Sequence, residues 1–118
     1  MKYMLLIYND ENGLSPSERE LCYEESAQLA QKLSTSGQYL DAAPLHPTST
    51  ATSVRVREGK PLITDGPFAE TREQLGGYYL IDAKNLDEAI GIATKIPGGK
   101  WGTVEIRPVM EIQGLPAD

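Results

Sequence analysis

Asp65 and His46 are the side chains with which this chain could most readily move a proton. Asp65 opens the run Asp65-Gly66-Pro67-Phe68. A short acid ahead of Gly-Pro can accept backbone hydrogen bonds and lock a turn. The same carboxylate, half-buried at a strand end, would have a raised pKa and act as a general base. Turn chemistry alone weights the structural role above the catalytic one. Gly66 is expected to supply an unusual backbone angle, and Pro67 to stiffen the exit. Phe68, the one phenylalanine, is expected to anchor the core or a subunit interface rather than carry a substrate. His46 is the one histidine and sits in Pro44-Leu45-His46-Pro47, where two prolines stiffen the loop. Histidine is the side chain best suited to acid–base work near neutral pH, although a plain loop histidine is the commoner outcome.

Further polar candidates lie downstream. Tyr78 and Tyr79 are adjacent on an apolar stretch and must point to opposite faces of a strand. One is expected under the helices and the other at an interface or pocket, where its hydroxyl would meet a ligand. Arg107 is set opposite in phase to Val104 and Ile106; it can pair with Asp65, with the neighbourhood of Glu105 or with a ligand carboxylate, and an ordinary salt bridge is the simplest reading. Gly76-Gly77 lacks the spacing, lysine and following helix of a phosphate loop, so a bulge or a close backbone approach is expected, making room for a ligand or a partner subunit. One histidine and one cysteine cannot assemble a His/Cys zinc site within a chain, and no metal-loop pattern is present. Cys22 falls on the apolar stripe of a helix and reads as a packing residue rather than a nucleophile. No metal and no cofactor are expected.

These residues must be positioned by short elements. Tyr3–Tyr8 reads as a strand apolar on both faces, with Tyr3, Leu5 and Ile7 on one and Met4, Leu6 and Tyr8 on the other. Ser15-Pro16-Ser17-Glu18 carries an N-cap, a proline at the first helical position and a capping box. The helix it opens runs to Ser36, with Cys22, Ser26, Leu29 and Leu33 at helical spacing and Gly37 as the stop. Residues 38–43 form a second strand. Val54 and Val56 alternate with Arg55 and Arg57 before Glu58-Gly59 turns the chain into Pro61–Thr64, a hairpin solvated on one face. Residues 77–83 form an apolar strand. Asn85-Leu86-Asp87-Glu88 opens a second helix with another capping box, Leu86, Ala89, Ile90 and Ala93 on its buried face, and Pro97-Gly98-Gly99 as its end. Residues 103–109 are the last strand. Trp101 is expected to cover a sheet edge.

The order β-α-β, hairpin, β-α-β indicates an α+β, ferredoxin-like unit. Two helices with one apolar face each cover only one side of a sheet, yet the strands at 3–8 and 77–83 are apolar on both. A second copy of the chain is the economical cover. The pattern therefore implies a homodimer through the sheet face, with one domain over 1–112 and a loose tail over 113–118.

Bulk charge narrows the partners. Eleven Lys and Arg against seventeen Asp and Glu leave a net charge of −6, which repels phosphate backbones and anionic lipid. Neither nucleic acid nor membrane is expected as a partner. One cysteine allows no intramolecular disulfide, and the N-terminal apolar run is too short for a signal-peptide core, so the expected location is the cytoplasm.

The stretches MKYMLLIYND, TATSVRVREGKPLITDGPFAETREQLGGYYLIDAKNLDEAI and KIPGGKWGTVEIRPV together resemble the DGPF branch of the YCII-related proteins over roughly residues 1–112. The resemblance implies a dimeric α/β barrel. Members with a proposed chemistry use a His–Asp pair whose histidine lies on the first helix. That helix here, from Ser15 to Ser36, has no histidine, so the pair does not transfer, and His46 is the substitute available to Asp65. Histidine-bound haem occurs in relatives of the fold, but the loop position of His46 argues against it. Relatives are often encoded beside extracytoplasmic-function sigma factors, which implies a sensing or accessory role. The expected function is that of a small-molecule-binding protein with a regulatory or accessory task. The alternative is an isomerase, lyase or dehalogenase-like enzyme using Asp65-centred acid–base chemistry.

Overall fold

The computed structural model describes residues 1–116. Four antiparallel strands form one sheet: β1 (Lys2–Asn9), β2 (Tyr39–Pro44), β5 (Gln74–Asp82) and β6 (Gly102–Pro108), in the spatial order β2-β5-β1-β6. This is the strand order of a ferredoxin-like α+β unit. Between β2 and β5 the chain inserts a separate hairpin of β3 (Thr52–Arg57) and β4 (Lys60–Asp65). Ala117 and Asp118, at the end of the expected tail, lie outside the described residues.

Helix α1 spans Pro16–Thr35. Its start is as the residues dictate: the Ser15 hydroxyl accepts from the Glu18 N–H at 3.2 Å, and the Glu18 carboxylate accepts from the Ser15 N–H at 3.0 Å. Two otherwise orphaned donors are thus satisfied. Accepting from the Ser15 N–H, and next from the Ser15 side chain, holds the Glu18 carboxyl below its ordinary pKa. Among the described residues, no helix is long and apolar enough to cross a membrane.

The core lies between one sheet face and the helices. Tyr3, Leu5 and Ile7 of β1 and Tyr79 and Ile81 of β5 point into it, meeting Leu29 and Leu33 of α1. Leu5 and Ile81 are fully buried. Helix α2 (Leu86–Ala93) begins on Asn85, whose side chain accepts from the Glu88 N–H. The Glu88 carboxylate faces Lys84 N–H instead of the Asn85 N–H, so the second capping box is only half made. Its buried face is the expected one only in part: Ala89 is buried and Ala93 packs against the core as expected. Ala89 and Ile92 face the core with Ile96 just beyond, whereas Leu86 and Ile90 are exposed. Two apolar stripes compete on this short helix, and the one beginning with the smaller Ala89 allows the close approach. The helix ends at Thr94, and Pro97–Lys100 forms a separate 3₁₀ turn.

The opposite sheet face is open. Met4, Leu6, Tyr8, Tyr78 and Leu80 project from it and remain half-exposed. The hairpin stands off the body as well: every residue of β4 is exposed, and Val54 faces its cross-strand partner Ile63 in solvent. Glu58 and Gly59 both take positive φ (52° and 75°), the twist of a two-residue type I′ turn. The Cα radius of gyration is 16.0 Å, against roughly 13–14 Å for a compact chain of this length.

Candidate functional site

The strongest candidate site is a cleft between α1 and the β2-β5-β1 part of the sheet, with a volume of about 310 Å³. Small residues create it. Ala27 and Ala30 on α1 lie across from Ala42 on β2 and Gly77 on β5, so helix and sheet meet there through short side chains. Gly77 is required there: a Cβ would come within 3.0 Å of the Ala43 carbonyl oxygen. Gly76 is the extra residue of a bulge, since Ile7 pairs with Gly77 and Tyr8 with Leu75. The close approach and the bulge expected of this glycine pair are therefore both present. Strand β5 begins at Gln74, so the pair lies inside the strand rather than ahead of it.

Tyr79 closes the floor of the cleft. It is buried, and its hydroxyl donates to the Ser26 carbonyl at 2.7 Å, which ties α1 to β5. Burial pushes its pKa up, so it remains a neutral donor. Among the described residues, no Asp, Glu, Lys, Arg or His lines this cleft. Its polar groups are the amides of Asn9 and Gln31, the Ser26 hydroxyl, the Cys22 thiol and tyrosine hydroxyls.

A smaller cavity of about 80 Å³ adjoins it, sharing Asn9, Cys22, Tyr23 and Gly76 as a common wall. Here the lining is charged and polar: Asp10, Glu11, Arg19 and His46. The loop carrying His46 is pinned on both sides. Leu45 donates its N–H to the Gly76 carbonyl at 2.9 Å, and Thr48 donates both N–H and hydroxyl to the Glu11 carboxylate. His46 itself is exposed at the cavity edge.

Asp65 is placed differently from expectation. It ends β4 opposite Thr52, is exposed rather than half-buried, and lines neither cavity. Its carboxylate has no hydrogen-bond partner among the described residues, so it does not lock the turn through the following amides. The turn is instead held by the Gly66 N–H, which donates to the Ala51 carbonyl, and by the Ser53 hydroxyl, which donates to the Gly66 carbonyl. Gly66 has φ 115°, the unusual angle expected of it. Pro67 follows half-buried. Phe68 is not a core residue: it is 79% exposed, with the Arg55 guanidinium 5.4 Å above its ring.

Tyr78 and Tyr79 divide as alternation demands. Tyr79 lies under α1, whereas Tyr78 reaches from the other face to donate to Asp41 at 2.7 Å, a bond that raises the Tyr78 pKa. Arg107 lies on the open face across from Met4 and pairs with Glu105 at 3.6 Å. Trp101 is 45% exposed beside the start of β6.

Cys22 is half-buried on the wall common to both cavities. Desolvation pushes its thiol pKa up, with the Glu25 charge adding to this and a Ser26 hydrogen bond and Lys100 opposing it. The thiol is thus protonated and unreactive at neutral pH. Alkylation by iodoacetamide should be slow at pH 7, with a pH midpoint above the ~8.5 of a free cysteine; a midpoint at or below that value would contradict a desolvated thiol.

The comparisons with known proteins agree with this architecture. The model of the YCII-related domain matches residues 1–113. An uncharacterised protein of Rhizobium meliloti (strain 1021) is 38% identical over 114 residues, covering 92% of each chain. A similar solved structure is 5-chloro-2-hydroxyhydroquinone dehydrochlorinase from Burkholderia phenoliruptrix AC1100, in complex with 2,5-dihydroxybenzoquinone. It has a TM-score of 0.58 at 11% identity over 96% of this chain and 97% of that one. At that identity the likeness is one of fold.

Proposed function

The chain belongs to the YCII-related family, and from that premise we propose that it binds a small, uncharged, largely apolar molecule in the cleft between α1 and the sheet. One observation carries the reading: a cleft of about 310 Å³ with no charged side chain among its described lining residues, in a chain of which 24% is charged. That volume is at the lower end of the ~300–1,000 Å³ typical of small-molecule sites. The task is accessory or regulatory, performed in the cytoplasm by a homodimer. A second copy covers the open sheet face, where Met4, Leu6 and Leu80 are half-exposed on central strands.

Acid–base catalysis is the second reading. It draws on His46, at the edge of a cavity that shares a wall with the cleft, and on the dehydrochlorinase with the same fold. Asp65, the carboxylate such chemistry would need, lines neither cavity, so binding is favoured over catalysis.

Titration with a neutral, polarity-sensitive aromatic dye should give one saturable site per chain with blue-shifted emission. Ala27 lines the cleft yet is exposed, so Ala27→Trp fills the rim without overpacking the core. The variant should lower dye affinity roughly tenfold or more. Equal affinity for both proteins would place the dye elsewhere and remove the proposal's support.

A further inference from the structure

We infer that the Asn9 amide orients the bound molecule, and that this molecule presents a neutral hydroxyl or carbonyl group at the junction of the two cavities. The inference rests on the cleft being a ligand site. Asn9 ends β1, paired with Gln74 on one side and Gly102 on the other, and its side chain belongs to the wall shared by both cavities. The amide is half-buried and has no hydrogen-bond partner among the described residues. An amide in such a place offers one acceptor and two donors to whatever lies beside it.

The missing side chain at Gly76 leaves the room that the Asn9 amide occupies. A Cβ on Gly76 would come within 2.9 Å of the Asn9 Oδ1, and one on Gly98 would lie 3.8 Å from the Nδ2. The Gly98 Cβ would also come within 2.8 Å of the Ile7 Cγ2, so that glycine seats the adjacent cleft wall as well. The amide therefore lies against the Gly76 backbone, where a side chain would press on its Oδ1, and within ordinary contact distance of Gly98. A molecule lying along α1 meets Asn9 where uncharged lining gives way to the charged lining of the smaller cavity. A polar but neutral end suits that boundary: an ionised group on the molecule would have no counter-charge on the cleft side.

Naphthalene and 2-naphthol differ by one hydroxyl and serve as the probe pair. Equilibrium dialysis of both against the full chain should show binding, with 2-naphthol favoured about five- to tenfold, the value of one neutral hydrogen bond. Asn9→Leu should abolish that preference, so that the two probes bind the variant with equal affinity. Asn9→Asp keeps an acceptor in place and should preserve the preference. If Asn9→Leu fails to fold, as read by circular dichroism, Asn9→Ala takes its place. Retention of the preference in the Leu or Ala variant, or equal weakening of both probes, would overturn the role of Asn9 while leaving the cleft as a site. Binding of neither probe to the unsubstituted protein would instead overturn the cleft reading, and the inference with it.

Discussion

Leu6→Asp is expected to break the proposed homodimer of two 12.9 kDa chains into single chains, without unfolding them. Leu6 sits mid-way along the central strand β1, opposite Tyr78 on one neighbour and Glu105 on the other. It is half-exposed on the open face, so within one chain a carboxylate there stays hydrated. A second sheet stacked against that face would take the charge out of water with no partner, a penalty of several kcal/mol. A standard interface buries about 800 Å² per partner, so such a penalty in its centre outweighs much of the association energy. Leu5, one residue earlier, is fully buried under the helices. The same substitution there should unfold the chain, which separates loss of association from loss of fold. Light scattering coupled to size exclusion measures the first, and circular dichroism the second. A Leu6→Asp protein that remains two chains in size would exclude this face as the contact. The exposed hairpin surface around Val54, Val56 and Ile63 would then be the place to look.

The alternation at Tyr3–Tyr8 makes both sheet faces legible from the residues alone, because a strand's period of two is insensitive to distant context. The Ser15–Glu18 cap is equally plain, since its bonds span three residues and need nothing else. Helix α2 is harder. Its apolar residues support two faces, and the choice between Leu86/Ile90 and Ala89/Ile92 depends on how close the sheet lies, which no local pattern records. The same limit applies to the candidate site. A search for chemistry in residue types leads to Asp65 and His46, yet the cleft is made by the absence of bulk at Ala27, Ala30, Ala42 and Gly77. Small residues in a sequence carry no sign of facing one another across a gap. Only the Gly76-Gly77 pair points there, through the expectation of a bulge and a close approach. Asp65 misleads because the residues that could bury it lie outside the hairpin, and that hairpin stands clear of its own body.

Gly102 should be the position least tolerant of even one added methyl group. It opens β6 opposite Asn9, where β6 approaches the end of β1. A Cβ there would fall inside the van der Waals shell of the Tyr8 carbonyl oxygen, with the Asn9 Cα 2.9 Å away. Both are backbone atoms of a central strand, so no side chain can swing aside to relieve the overlap. The start of β6 must separate from β1 instead, losing ladder hydrogen bonds and displacing Asn9. Gly102→Ala should therefore cost roughly 3 kcal/mol or more, out of a total stability of about 5–15 kcal/mol for a domain of this size. That corresponds to a melting temperature lower by roughly 10–20 °C. Gly91→Ala is the matched comparison. Gly91 lies inside α2, is exposed, and has no atom within 4 Å of an added Cβ, so the same change should stabilise by about 0.5–1 kcal/mol through helix propensity. Opposite signs in the two melting curves would tie the Gly102 effect to strand approach rather than to loss of glycine. A Gly102→Ala protein melting with the unsubstituted one would mean that β1 and β6 do not approach this closely. The position assigned to Asn9 would then lose the strand pairing that holds it.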